Sequence, residues 1–209
     1  MKNIVILISG SGSNMAAIAR AAQKENWQSS LGVRIAAVIS NRPDAPGLSL
    51  AKSLGIVTHT LSHRGFDSRE AFDAALMECI EPHAPHLLVL AGFMRILTLD
   101  FVQHYAGRLI NIHPSLLPAF AGLNTHQRAI DMGCKVAGTT VHQVTAELDH
   151  GYILAQAAVP VLPFDTAQTL AARILTQEHL IYPQAVRAFF TDRVESSDTN
   201  LRTVRAGQA

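Results

Sequence analysis

An asparagine and a histidine stand two residues apart at the end of an apolar run, as Asn111 and His113. Side chains two apart on a β-strand leave the same face, so we expect these two to lie together. Pro114 follows, and because proline lacks a backbone donor and restricts the residue before it, the strand should end there. Ligands bind at the carboxyl ends of parallel strands, so the pair suggests catalysis. A polar pair that only fixes the next loop is the alternative, and these residues alone leave both open.

A carboxylate is the third candidate, Asp149 in the run 147–151. Placed beside His113, it would favour the protonated imidazole and so a stronger hydrogen-bond donor. An aspartate in such a run is otherwise an ordinary turn residue. Spacing along the chain does not decide whether the two groups meet.

A glycine-rich stretch, residues 9–14, follows the first predicted strand and opens the first predicted helix; we call it the glycine loop. Backbone donors and the helix dipole at such a place can hold a phosphate, although a flexible turn with a serine cap is the alternative. The loop has no lysine followed by serine or threonine, which argues against a nucleoside triphosphate. Met15 stands at the third glycine position of the dinucleotide fingerprint, which argues against a dinucleotide.

The composition is that of a soluble enzyme with a large core. Hydrophobic residues make up 48% of the 209 residues and charged residues 16%, and the net charge is +1 without a run of basic residues. Nothing electrostatic therefore favours nucleic acid or an anionic membrane. No apolar stretch approaches the ~18 residues that span a bilayer. The two isolated cysteines, Cys79 and Cys134, fit a reducing cytoplasm better than a disulfide framework.

Ten histidines raise the possibility of a metal site. The nearest pairs in sequence are His59 with His63 and His83 with His86. Neither pair lies on a convincing helix, and no carboxylate or thiolate nearby completes a ligand set. We therefore expect no metal.

Apolar runs alternate with longer segments of helical spacing, which predicts an α/β fold: a mostly parallel twisted sheet with helices on both faces. The predicted parallel strands are 4–8, 33–39, 55–59, 87–91 and 109–112, and the predicted helices between them are 14–23, 46–54 and 68–80.

After His113 the pattern changes. A loop, a short helix at 127–132 and two β-rich segments at 136–144 and 152–161 predict an antiparallel addition in the C-terminal half. A last helix, capped by Asp165 or Thr166, is expected to reach about Phe190. We therefore expect one domain over 1–190 and a polar C-terminal tail over 191–209.

Asn111, His113, the Pro-Ser-Leu-Leu-Pro segment after them, and Asp149 with Gly151 resemble the folate-dependent formyltransferases, in which these three polar residues form the active site. The resemblance covers roughly the first 190 residues. Its further segments are 9–14, 66–70, 91–97, 138–144 and 176–183. It implies a Rossmann-like formyltransferase fold. It also implies transfer of the formyl group of 10-formyltetrahydrofolate, as cosubstrate, to the amine of glycinamide ribonucleotide in de novo purine biosynthesis.

The resemblance implies a role for each candidate residue. Asn111 and His113 would donate hydrogen bonds to the oxyanion of a tetrahedral intermediate, while Asp149 keeps the imidazole protonated and organises water for proton transfer. The implied ribonucleotide-binding residues are Gly12, Ser13, Asn14, His142 and Glu178. The implied folate-binding residues are Arg69, Met94, Arg95, Ile96, Leu97 and Asn111.

Other functions stay open beside this one. A 10-formyltetrahydrofolate hydrolase would use the same three residues with water as acceptor, and a noncatalytic phosphosugar-binding module would need only the glycine loop. Such hydrolases carry an extra amino-terminal domain and tRNA formyltransferases an extra carboxyl-terminal one, and neither addition is expected here. We further expect small-molecule substrates, no nucleic-acid or membrane partner, a cytoplasmic location, and a monomer or homodimer.

Overall fold

A seven-stranded sheet forms the centre of the molecule, whose structure is a computed structural model. The structure describes the backbone of residues 1–198 and the side chains of residues 1–191. The strands are β1 (Lys2–Ile8), β2 (Val33–Ser40), β3 (Thr58–Thr60), β4 (Pro85–Leu90), β5 (Leu109–His113), β6 (Val136–Gln143) and β7 (Ile153–Pro160).

The strand order is β3-β2-β1-β4-β5-β6-β7. The first five strands pair in parallel, whereas β6 is antiparallel to both β5 and β7. The predicted fold class is therefore confirmed, including the antiparallel C-terminal addition. β1 has β2 on one side and β4 on the other, so successive strands are added on one side of β1 first and on its other side afterwards. The loops after β1 and β4 therefore face each other at the edge of the sheet where ligands bind.

Helices cover both faces of the sheet, as predicted. They are α1 (Ser13–Lys24), α2 (Trp27–Ser30), α3 (Pro46–Ser53), α4 (Arg69–Ile80), α5 (Leu99–His104), α6 (Thr125–Asp131) and α7 (Ala167–Asp198), with 3₁₀ turns at His63–Gly65 and Glu81–His83. No helix within residues 1–198 is both long and apolar enough to cross a membrane.

The core lies in two layers, one on each face of β1. Ile4, Ile6 and Ile8 point to one face and pack with residues of α1 and α7, whereas Val5 and Leu7 point to the other and pack with α4 and α5. A parallel strand buried on both faces reads as a continuous apolar run, which is why the first strand was recognisable in the sequence.

Two boundaries and two short helices differ most from the sequence prediction. β3 begins at Thr58 rather than Gly55, because Gly55 has φ +74° and the Ile56 amide closes the end of α3 by donating to Ala51. The short helices α2 and α5 were not among the predicted helices. The last helix extends beyond Phe190 to Asp198. The sequence prediction ended it too early because it took the change to polar residues as a helix end, although polar residues are compatible with a helix. Residues 199–209 of the predicted tail lie outside the described residues.

Candidate active site

The glycine loop connects β1 to α1 and approaches the start of α3 closely. Gly12 has φ +73° and immediately precedes α1, and a Cβ there would lie 2.8 Å from the Gly47 Cα. The Gly47 amide donates to the Gly10 carbonyl at 3.0 Å, which ties the two segments together. The loop therefore keeps its shape through backbone contacts that only glycine permits at residue 12.

A cavity of about 550 Å³ opens beside the glycine loop. Its walls also contain residues that follow β2 and β4 and residues of the first 3₁₀ turn. These are Asn41, Arg42, His63, Arg64, Ala91, Gly92, Met94 and Arg95. Four of them, Arg42, His63, Arg64 and Arg95, are cationic or can become so, which suits an anionic ligand at the start of α1.

A buried hydrogen bond joins the glycine loop to α7. The Asn14 Nδ2 donates to Glu178 Oε2 at 2.6 Å, and both side chains are buried. Burial raises the pKa of Glu178, and the hydrogen bond from Asn14 opposes that shift. The Asn14 Oδ1 is buried and has no hydrogen-bond partner among the described residues, so it remains free to accept a ligand donor.

The three candidate catalytic residues converge at the carboxyl end of β5. Asn111 and His113 lie on β5, and the antiparallel register places His142 of β6 opposite Asn111. Asp149 comes from the β6–β7 loop: its Oδ2 lies 3.4 Å from His113 Nδ1, and its Oδ1 lies 3.7 Å from His142 Nε2. We call Asn111, His113, His142 and Asp149 the polar cluster.

His142 is a neutral acceptor within this cluster. Burial lowers its pKa, and its Nδ1 lies 2.9 Å from the Gln143 carbonyl, to which it must donate. Its Nε2 then accepts from Asn111 Nδ2 at 3.3 Å. An asparagine amide carries two N–H groups, so the second one on Asn111 has no partner among the described residues and is available to a ligand.

His113 has an acceptor at each ring nitrogen. Its Nε2 donates to the Phe120 carbonyl at 3.0 Å, and its Nδ1 faces the Asp149 carboxylate. A ring with protons on both nitrogens satisfies both acceptors at once. The Phe120 contact was not anticipated from the sequence, because it depends on a left-handed residue, φ +57°, in the loop after Pro114.

Asp149 is fixed by its own loop and by the loop after β5. It has φ +56°, and its Oδ2 accepts from the Gly122 amide at 2.9 Å. A Cβ on Gly151 would overlap the Gln143 carbonyl, so the chain can return into β7 there only with glycine. The acid next to His113 is thus placed by the hairpin between β6 and β7.

The segment 94–97, between β4 and α5, presents unpaired backbone beside exposed apolar side chains. Met94 is 74% exposed and Ile96 61%. In the described part of the chain, no hydrogen bond engages the backbone of residues 95–97, and Arg95 lies over the Phe72 ring at 5.3 Å. This combination suits a flat heteroaromatic ring with hydrogen-bonding edges.

Other predicted folate residues lie further out. Ile96 and Leu97 do not line the cavity, and neither does Arg69, which is exposed at the start of α4. Sequence reasoning missed His63 and Arg64, which line the cavity from a 3₁₀ turn that carries no motif.

The histidines outside the cluster pair differently from the two pairs considered in the sequence. His59 contacts His83, with 2.9 Å between their Nε2 atoms, because β3 brings His59 beside the end of α4. No group of three or more His, Cys, Asp or Glu side chains that could hold a metal ion occurs among the described residues.

A family model described as formyl transferase matches residues 2–186, which is most of the chain. The chain therefore belongs to the formyl transferase family, and the resemblance inferred from its motifs is confirmed.

Within that family the chain is similar to phosphoribosylglycinamide formyltransferases. The one from Escherichia coli (strain K12) is 50% identical over 193 residues, which cover 92% of this chain and 89% of the relative. The glycinamide ribonucleotide transformylase 1 of Symbiobacterium toebii superposes with a TM-score of 0.87 at 46% identity, over 92% of this chain and 89% of its own. The phosphoribosylglycinamide formyltransferase of Brucella melitensis superposes with a TM-score of 0.83 at 46% identity, over 98% and 99%.

Proposed function

We propose that this chain transfers the formyl group of 10-formyltetrahydrofolate to the amine of glycinamide ribonucleotide, giving formylglycinamide ribonucleotide and tetrahydrofolate. The observation that carries the proposal is the meeting of the polar cluster, the glycine loop and the segment 94–97 at one edge of the sheet. Similarity to phosphoribosylglycinamide formyltransferases over nine-tenths of the chain supports the same activity. It also argues against the hydrolase and binding-module alternatives.

The ribonucleotide is proposed to bind between the glycine loop and α7. Backbone amides of Gly12 and Ser13 at the start of α1 hold the phosphate, where the helix dipole favours negative charge. The free Oδ1 of Asn14 and the carboxylate of Glu178 accept hydrogen bonds from the ribose hydroxyls. His142 lines the side of the pocket that receives the amine.

The cosubstrate is proposed to bind along the segment 94–97. The pterin ring pairs its polar edges with the unengaged backbone of these residues and packs against Met94 and Ile96. Arg69 and Arg95 provide positive charge for the carboxylates of the folate tail. This arrangement places the formyl group next to the free amide N–H of Asn111.

In the proposed reaction the amine lone pair attacks the formyl carbon, and the carbonyl electrons move to oxygen. Asn111 Nδ2 and the ring of His113 donate hydrogen bonds to that oxygen as its charge develops. Asp149 orients the imidazole through its contact with Nδ1 and orders the water through which a proton passes from the attacking nitrogen to N10 of the folate. The C–N10 bond then breaks, which yields the formamide and tetrahydrofolate without a covalent enzyme intermediate.

His113 must change one contact for this step. Its Nε2 proton is donated to the Phe120 carbonyl in the structure, so the formyl oxygen has to share or replace that acceptor. The carbonyl thus holds the ring in place until the substrate supplies a stronger, charged acceptor.

The test is to mix the purified protein with 10-formyltetrahydrofolate, with and without glycinamide ribonucleotide, and to follow the deformylated folate by absorbance. We expect a signal that requires the ribonucleotide. A signal without it would identify a hydrolase, and no signal would leave a binding module. Glycinamide riboside, which lacks the phosphate, serves as the matched acceptor and should show a much higher KM if the glycine loop holds the phosphate.

We further propose that the protein is cytoplasmic and acts only on small molecules. We propose that it is a monomer or a homodimer. The near-neutral net charge supports the absence of nucleic-acid and membrane partners. Sedimentation velocity of the purified protein distinguishes the two assembly states.

A further inference from the structure

The segment 94–97 is held at both of its ends by buried polar side chains that do not belong to it. At the first end, Ser9 Oγ accepts from the Met94 amide at 2.8 Å. Just beyond the other end, Asp73 Oδ2 accepts from the Thr98 amide at 2.6 Å. Ser9 is 4% exposed and Asp73 2%; Ser9 lies in the wall of the cavity beside the glycine loop, whereas Asp73 does not line it.

Ser9 connects this segment to the glycine loop. Its backbone amide donates to the Gly92 carbonyl at 3.1 Å, and its Oγ donates to Asn41 Oδ1 at 2.6 Å while accepting from Met94. A hydroxyl has one donor and two acceptor positions, so the donor and one acceptor are used. One residue therefore fixes the spacing between the loop after β1 and the loop after β4.

Asp73 is an unusual residue for the buried face of α4. Burial raises the pKa of its carboxyl, and the hydrogen bond from the Thr98 amide acts in the opposite direction. Its neighbour Phe72 is fully buried and carries the Arg95 guanidinium on its ring. Helix α4 thus holds the second half of the segment through a carboxylate and the middle of it through an aromatic ring.

We propose that Ser9 and Asp73 are positioning residues that hold the segment 94–97 in the shape that receives the folate. The proposal rests on the proposed function, and it assigns the two residues to cosubstrate affinity rather than to the chemical step. The segment has no backbone hydrogen bonds of its own over residues 95–97, so its conformation depends on contacts with the rest of the protein. Besides the two anchoring hydrogen bonds, these are the Phe72 ring under Arg95 and the packing of Leu97 against the core. Released at either end, it would have to be ordered by the ligand, which lowers affinity.

The test is to measure kcat and both KM values for Ser9→Ala, Asp73→Ala and Asp73→Asn. We expect the KM for 10-formyltetrahydrofolate to rise roughly 10-fold in the two alanine variants, because each loses one anchoring hydrogen bond. The KM for the ribonucleotide and kcat should stay within about threefold, by the same reasoning. Asp73→Asn should restore most of the affinity, since an asparagine oxygen can still accept from the Thr98 amide.

Tyr105→Phe is the matched control for lost stability. Its hydroxyl donates to Glu81 at 2.9 Å in a partly buried setting away from the segment, so this variant also loses one hydrogen bond. The proposal is overturned if the alanine variants raise the folate KM no more than Tyr105→Phe at equal loss of melting temperature. It is also overturned if kcat falls as much as the KM rises, or if Asp73→Asn behaves like Asp73→Ala.

Direct binding separates this proposal from the proposed function. Tetrahydrofolate is titrated into each variant by calorimetry without any acceptor. Weaker binding to Ser9→Ala and Asp73→Ala supports the positioning role even if the wild-type protein shows no transfer, which would defeat only the proposed function. Unchanged binding by folded alanine variants defeats the positioning role even if transfer is observed.

Discussion

The glycine loop and the polar cluster lie at the same edge of the sheet but are built in different ways. The glycine loop is one contiguous stretch, and its shape comes from Gly12 in a left-handed conformation and from a close approach to Gly47. The polar cluster takes residues from β5, from β6 and from the loop that follows β6. A local motif and a long-range convergence thus lie at the same edge of the sheet.

The two regions are therefore suited to different tasks, binding of the substrate and stabilisation of the transition state. The glycine loop offers backbone groups that are already held in place before a ligand binds, so it suits binding of a ground-state phosphate. The polar cluster offers oriented side-chain donors and a buried carboxylate, which suits charge that appears only in the transition state. Substitution of Gly12, which shapes the start of α1, should therefore change the KM for the ribonucleotide, and substitutions in the cluster should change kcat.

The largest effect is expected from the cluster. Asn111→Ala or His113→Ala should lower kcat on the order of 100- to 1,000-fold, because each removes a donor to the developing oxyanion. The KM for the ribonucleotide should change by less than about threefold. Steady-state kinetics with the ribonucleotide varied at saturating cosubstrate measures both quantities.

His104→Gln is the control for that experiment. His104 is an exposed histidine that contacts Glu81 far from the cluster, so its loss should leave kcat unchanged. Retention of full activity by Asn111→Ala and His113→Ala would show that the cluster is only structural.

The same contrast explains how much could be predicted from the sequence. The glycine loop, the strand that ends at His113 and the order of the strands along the chain are written in local patterns, and all were predicted. The contact between Asp149 and His113 depends on a left-handed residue and on the hairpin of β6 and β7, so spacing alone could not establish it. The Phe120 carbonyl on His113 had no signal at all, because any residue type supplies a carbonyl.

The second largest effect is expected from Gly12→Ala. The new Cβ would lie 2.8 Å from the Gly47 backbone, at a φ that side chains rarely adopt. We expect the KM for the ribonucleotide to rise at least about 10-fold with a smaller change in kcat, and the free energy of unfolding to fall by about 1–3 kcal/mol. Kinetics and urea unfolding measure the two.

Gly133→Ala separates strain from contact. Gly133 also has a positive φ, +67°, but a Cβ there would meet nothing within 4 Å. This variant should lose stability without a change in KM. If Gly12→Ala also left the KM unchanged, the loop would not be the phosphate site.

A smaller effect is expected from Glu178→Gln, which should raise stability but weaken binding of the ribonucleotide. Burial raises the pKa of Glu178, so the stability linked to its proton is present below about pH 4.5 and is lost as pH rises through the folded-state pKa. A neutral glutamine keeps an acceptor for Asn14 and removes that loss. We expect a gain on the order of 1 kcal/mol at neutral pH but a several-fold higher KM for the ribonucleotide.

Glu81→Gln provides the opposite case. Its pKa is lowered, mainly by the hydrogen bond from His104, so neutralising it should reduce stability rather than raise it. Urea unfolding of both variants at pH 4.5 and 7.5 tests the sign. If the two variants behaved alike, the buried charge of Glu178 would not lower stability, and Glu178 would not be a residue kept for binding at the expense of stability.

The smallest effect concerns the decrease of the free energy of unfolding at acid pH. Burial lowers the pKa of His142, so the unfolded chain takes up a proton below about pH 6.5 while the folded chain resists it, and stability falls as pH falls. A fully shifted group contributes up to about 1.4 kcal/mol per pH unit. Because a glutamine oxygen can also accept from Asn111, His142→Gln should flatten this slope between pH 6.5 and 5 while lowering kcat several-fold.

His83→Gln is the control experiment. Burial also lowers the pKa of His83, which lies outside the cluster, so its loss should flatten the slope and leave kcat unchanged. An unaltered slope in His142→Gln would mean that His142 accepts its proton as readily in the folded chain as in the unfolded one, and the neutral acceptor for Asn111 would have to be abandoned.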